Sequence, residues 1–194
     1  MCEQIVAQYS NEPGLQYFWK ANPDAFQLSY WKDHFEGAFL RQWAPRSAWV
    51  FDFGCGIGCL DILLAQDGYK VFGYDNQRGS VAIARHLAAT TGTVVDFYDE
   101  LPDRPYDRIW MCHVLEHIPL VDFGEVFSKL ASVPILISVP FGDGYGSHGH
   151  DHPWWSVQEL SDAIAPYVTI TWITHVEKYS VLRAEVIPNV KTLS

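Results

Sequence analysis

The residues of this chain best suited to chemistry begin with Asp52-Phe53-Gly54-Cys55-Gly56-Ile57-Gly58, an acid followed by glycine at every second position. Glycines spaced in this way after a strand bring bare backbone against a ligand. The loop is not a dinucleotide loop of the G-x-G-x-x-G form, because the place of its third glycine is held by Cys59. Nor is it the G-x-x-x-x-G-K-S/T loop that meets a triphosphate. Further on, Gly73-Tyr74-Asp75-Asn76 puts a carboxylate 17 residues past Gly58. A carboxylate at the end of a second strand can accept both hydroxyls of a ribose, in whatever nucleoside carries it. The remaining candidates are histidines. His113 and His117 flank Glu116, and His148, His150 and His152 alternate along a glycine-rich stretch. An imidazole titrates near neutral pH and can take a proton from a hydroxyl.

These residues need a scaffold that delivers them to one place. The pattern over 48–53 is a continuous apolar strand ending in an acid, and 57–66 reads as a helix stopped by Asp67-Gly68. Strands at 69–74, 93–98, 107–111 and 134–139 alternate with helices at 80–89 and 122–130. A helix at 156–165, opened by the capping-box pattern Ser156-Val157-Gln158-Glu159, then leads to strands at 168–173 and 178–187. Strands alternating with helices imply a parallel sheet with right-handed crossovers. In such a sheet ligands bind at the carboxyl ends of the strands. Before this series, residues 1–45 form an aromatic segment. From Asp24, the spacing of Phe26, Tyr30, Trp31, His34, Phe35, Ala38 and Phe39 predicts one helical face. That helix either packs on the sheet or serves as a lid over the site; 46–194 is the main domain, and the whole is expected to be one compact body.

Composition narrows the partners. Hydrophobic residues make up 48% of the 194 residues and charged residues 19%, a globular balance. The net charge of −10, with 13 Lys and Arg, argues against a broad grip on nucleic acid or an anionic membrane. The cysteines, Cys2, Cys55, Cys59 and Cys112, do not read as a disulfide framework, since two of them lie in or beside the glycine loop. A reduced, cytoplasmic setting is expected, with no signal peptide and no membrane span. Oligomeric state is not readable.

The Asp-h-Gly-x-Gly-x-Gly form of 52–58 resembles motif I of class I S-adenosylmethionine-dependent methyltransferases. Tyr106-Asp107-Arg108-Ile109-Trp110-Met111-Cys112-His113-Val114-Leu115-Glu116-His117-Ile118 resembles the segment carrying VLEH in many small-molecule members. Ile135-Leu136-Ile137-Ser138-Val139-Pro140 is similar to their fifth strand, and Trp154-Trp155-Ser156-Val157-Gln158-Glu159-Leu160 to a recurring helix start. One departure stands out: Leu130-Ala131-Ser132-Val133-Pro134 replaces the longer L-x-P-G-G turn. The resemblance implies an α/β, Rossmann-like, doubly wound sheet of seven strands, mostly parallel with an antiparallel last strand. It implies S-adenosylmethionine as cofactor, with S-adenosylhomocysteine as product, held by Asp52, Gly54, Cys55, Gly56, Gly58, Asp75, Asn76 and Cys112. An acid near the adenine amino group completes that set; Asp99, at the rim of the third strand, is preferred to Asp96 within it. His113, His117 and His152 are the candidate catalytic bases, and a small molecule, accepting on oxygen, the expected acceptor.

Rival readings attach to the same residues. Glu116 and His117, with His148, His150 or His152, resemble the metal site of small-RNA 2'-O-methyltransferases. His113 stands where those enzymes carry glutamate, and the favoured reading assigns no metal. A non-catalytic S-adenosylmethionine-binding module is a rival of another class. A NAD-dependent oxidoreductase is disfavoured by Cys59.

Overall fold

The computed structural model describes residues 2–9, 11, 15, 20, 24, 27–140, 156–176 and 179–186. They fall into two compact units, Met1–Asp107 and Arg108–Ser194.

The first unit begins with helices α1 (Cys2–Gln8), α2 (Leu28–Trp31) and α3 (Phe35–Trp43). It continues through β1 (Trp49–Phe53), α4 (Cys59–Gln66), β2 (Lys70–Tyr74), α5 (Arg78–Thr91) and β3 (Asp96–Tyr98). Its strands lie in the order β3-β2-β1, all parallel, with Phe51 beside Phe72 and Phe72 beside Asp96. β1 reads Trp-Val-Phe-Asp-Phe without alternation, the pattern of a strand covered on both faces. Val50, Phe51 and Phe72 are accordingly buried, and the rings of Phe51 and Phe72 stack at 5.1 Å. Ile62 of α4, Val81, Ala84 and Ala88 of α5, and Phe97 of β3 form one buried cluster. Val6 and Leu15 share another with Ile57, Cys59 and Ile83, so the N-terminal segment packs on this unit's core.

Two elements differ from the sequence reading. The continuous helix expected from Asp24 is divided at Lys32–His34. His34 takes an extended backbone (φ −66°, ψ 135°), its N–H donates to Trp31 O, and its ring lies 2.9 Å from the Glu36 carboxylate. The aromatic periodicity bridges this break, because Trp31, His34, Phe35 and Phe39 still touch in succession. β3 starts at Asp96, not at residue 93. Gly92, at φ 66°, ends α5 with its N–H on Ala89 O and the Thr93 N–H on Ala88 O, so Thr93 is committed to closing the helix.

The second unit carries β4 (Arg108–Cys112), 3₁₀ turns at Leu115–His117 and Leu120–Asp122, α6 (Phe123–Ser128), β5 (Pro134–Pro140), α7 (Val157–Ile164), β6 (Val168–Val176) and β7 (Tyr179–Val186). The order is β4-β5-β7-β6. β4 and β5 are parallel, and β7 is antiparallel to both of its neighbours. Ile135, Leu136, Ile137 and Val139 are fully buried. The short turn before β5 is pinned by Ser132 Oγ donating to Val186 O. Ser156 caps α7 in a capping box: the Glu159 N–H donates to its hydroxyl, and its own N–H donates to the Glu159 carboxylate. The expected α/β class, with seven strands and an antiparallel last strand, is therefore what the chain adopts.

Candidate functional site

In the first unit the glycine loop follows β1, and each of its glycines is left-handed: Gly54 at φ 85°, Gly56 at 54° and Gly58 at 70°. L side chains avoid this region, which accounts for glycine at alternate positions. The glycines nevertheless do different work. A Cβ on Gly58 would lie 2.5 Å from the Phe97 ring and 2.8 Å from Ala84, so that glycine lets the loop pack down on β3 and α5. A Cβ on Gly56 would meet nothing within 4 Å. Gly56 therefore presents bare backbone to open space, as a ligand cradle requires. Gly73 on β2 admits the Cys55 side chain, which its own Cβ would strike at 2.7 Å.

The loop is tied to the end of β2. The N–H groups of Gly54 and Cys55 both donate to Tyr74 O, at 2.7 and 2.9 Å. The Gly56 N–H donates to Asp75 Oδ2 at 2.9 Å, and the Gln77 N–H to Oδ1 at 2.8 Å. Asp75, and not Asp52, is thus the acceptor for this loop amide. Both carboxylate oxygens thus accept a backbone N–H, and a carboxylate offers about four acceptor positions in all. Asp75 is half-buried and Asn76 beside it is exposed.

Asp52 lies at the end of β1, 4% exposed, with Asp61 of α4, 1% exposed. Burial pushes the Asp52 carboxyl well above the usual carboxylate range, and Asp61, Asp75 and Glu36 add to the effect. Burial also raises Asp61 to about 7, partly offset by its hydrogen bond with Asp52. With both carboxyls buried and raised, the pair keeps at least one proton near neutral pH. Desolvation, followed by the charges of Asp61, Asp52 and Asp75, raises the Cys55 thiol and keeps it from serving as a thiolate.

At the third strand the structure separates the two competing acids. Asp96 is exposed and paired with Arg104 at 2.9 Å. Asp99 is half-buried at the rim, with Arg85 3.2 Å from one oxygen and Arg78 3.6 Å from the other. Arg85 also donates twice to Phe97 O.

In the second unit β4 ends at Cys112, half-buried and in register with Ser138 of β5. His113 follows at φ 55°, the one positive φ at a non-glycine among the described residues, and its N–H donates to Ser138 O. Its Nδ1 lies 3.3 Å from Glu116 Oε1. Glu116 is 1% exposed, whereas its neighbour His117 is exposed. Among the described residues no group of three converging metal-ligand side chains includes Glu116 or His117. His148, His150 and His152 lie outside the described residues.

Sequence reasoning missed Glu36, Asp61 and Arg85. The first two left a readable trace, an acid inside an otherwise apolar or aromatic run, as in Cys59-Leu60-Asp61-Ile62-Leu63-Leu64.

A family model described as "Methyltransferase domain" matches residues 50–134. Ubiquinone biosynthesis O-methyltransferase of Photobacterium profundum is 31% identical over 100 residues, which are 48% of this chain and 40% of that protein. The chain thus matches about two fifths of the length of such curated relatives. Among solved structures, magnesium protoporphyrin IX methyltransferase from Synechocystis, with bound S-adenosylhomocysteine, superposes with a TM-score of 0.66 at 18% identity, covering 96% of this chain and all of that one. A SAM-dependent methyltransferase from Aquifex aeolicus gives 0.64 at 19% identity, covering 83% and 97%. These structures share the fold.

Proposed function

We propose that this chain is a class I S-adenosylmethionine-dependent methyltransferase that binds S-adenosylmethionine on its glycine loop and methylates an oxygen of a small-molecule acceptor; the methyltransferase-domain match over residues 50–134 supports the reading. The observation that carries the reading is the bond from Gly56 N–H to Asp75. It locks an open, side-chain-free stretch of backbone to a carboxylate, the group suited to ribose hydroxyls. When bound, S-adenosylmethionine supplies a methyl group on a sulfonium sulfur; the acceptor oxygen gains the carbon as the carbon–sulfur bond breaks, its electron pair staying on sulfur.

In this reading Asp75 and Asn76 receive the ribose, and the backbone of Gly54, Cys55 and Gly56 lies along the cofactor. Asp52 and Cys112 serve its methionine portion, and Asp99 its adenine. His113 takes the proton of the acceptor hydroxyl, with His117 and His152 as the other candidate bases. Relatives named for O-methylation support the choice of oxygen, and a net charge of −10 supports a small molecule over a nucleic acid. The test is calorimetry with S-adenosylhomocysteine on Asp75→Ala. The reading expects affinity to fall by about tenfold or more, the worth of a charge-assisted hydrogen bond pair. Unchanged affinity would remove Asp75 from the site.

A further inference from the structure

We propose that Arg85 is a positioning residue for the adenine ring, holding the Asp99 carboxylate in the orientation that receives the exocyclic amino group. The inference rests on the adenine role given to Asp99 above.

Asp99 lies one residue beyond β3, where strand pairing has ended. β3 is three residues long, and its end is pinned twice. The Tyr98 carbonyl accepts the Asp75 N–H at 3.1 Å, which sets this strand end beside the acid read as the ribose acceptor. The Phe97 carbonyl accepts from both Nε and Nη2 of Arg85, at 3.1 and 2.7 Å. Nη2 carries a second N–H, and Asp99 Oδ1 lies 3.2 Å from that nitrogen. One planar guanidinium thus spans the backbone of the strand and the acid beyond it.

Arg85 can do this because α5 is packed directly on β3. Val81, Ala84 and Ala88 are buried in one cluster with Phe97, and Arg85 follows Ala84 at the border of that face. Gly58 packs against the same Phe97 ring and Ala84, so the glycine loop and Arg85 share one support. Arg78, two helical turns earlier, faces Asp99 Oδ2 at 3.6 Å, beyond hydrogen-bonding distance. Arg85 and Asp99 are 53% and 32% exposed, and an ion pair so open to water adds little to stability. What it fixes is direction. With Oδ1 tied to the strand through Arg85, an arriving amino group meets an acceptor that is already oriented.

The test is calorimetry with S-adenosylhomocysteine and with its analogue carrying hydrogen in place of the adenine amino group. The unaltered chain should prefer the former by about tenfold, the ratio that a hydrogen bond to a charged group gives. Asp99→Ala should bring that ratio near unity. Arg85→Gln should cut it to about threefold or less, and Arg85→Lys, which keeps the charge without the fork, should lower it too. Where Arg85→Gln does not fold, Arg85→Lys decides alone. An undiminished ratio in the Arg85 variants would overturn the proposal, even with both ligands weakened equally, since equal weakening marks a merely structural role. A ratio near unity in the unaltered chain, or one that Asp99→Ala leaves unchanged, would instead refute the adenine role of Asp99 and the proposal with it.

Discussion

Asp75 serves the fold and the proposed ligand with the same two oxygens, and this makes its variants informative. Asparagine keeps one acceptor oxygen and the volume, so Asp75→Asn should bind S-adenosylhomocysteine several-fold more weakly, between the unaltered chain and Asp75→Ala. Asp61 makes a different prediction, about pH. Its folded carboxyl titrates near 7, against 3.8 in its ordinary state, chiefly through burial. The native chain therefore holds a proton that the unfolded chain releases, and the stability tied to this group is lost as pH rises from about 4 through about 7. Asp61→Asn keeps a neutral hydrogen-bonding group there. Its melting temperature should vary less between pH 5 and pH 8 than that of the unaltered chain, and an identical profile would contradict a pair that keeps a proton. At this scale the sequence was legible where spacing carries the chemistry, as at Asp75 and the glycines. Partners brought together from distant positions, such as Asp52 with Asp61 or Asp99 with Arg85, were not, because only the register of strand and helix decides them.

At the scale of elements, the glycine loop and its neighbours divide fold from function. Gly58→Ala forces a methyl group into the Phe97 ring at a left-handed backbone position. It should lower the melting temperature by about 4 °C or more. Gly56→Ala meets open space, so it should cost the fold only about 1 kcal/mol of backbone strain while weakening S-adenosylhomocysteine at least about tenfold. Thermal unfolding and calorimetry on the pair would check this, and a reversal of their order would mean that the loop faces the wrong way. The elements themselves were readable from continuous apolar runs and from Asp-Gly, Thr-Gly and Ser-x-x-Glu punctuation. Two readings went astray for local reasons. Aromatic periodicity ran across the break at His34, and the Thr93 amide, which the strand pattern assigned to β3, closes α5 instead.

For the molecule as a whole, the alternation of strand and helix dictated the α/β class, whereas the antiparallel β7 was expected only from the resemblance to known methyltransferases. The loop proposed to hold the methyl donor was legible because it needs specific backbone conformations. The acceptor was not, since no residue spacing encodes the shape of a pocket wall. The central claim is that the glycine loop with Asp75 is a site for S-adenosylmethionine and not for a dinucleotide. Titration calorimetry of the full chain with S-adenosylmethionine and, separately, with NAD tests it most directly. The account predicts affinity of order micromolar for S-adenosylmethionine and no measurable binding of NAD; binding of NAD without binding of S-adenosylmethionine would contradict it.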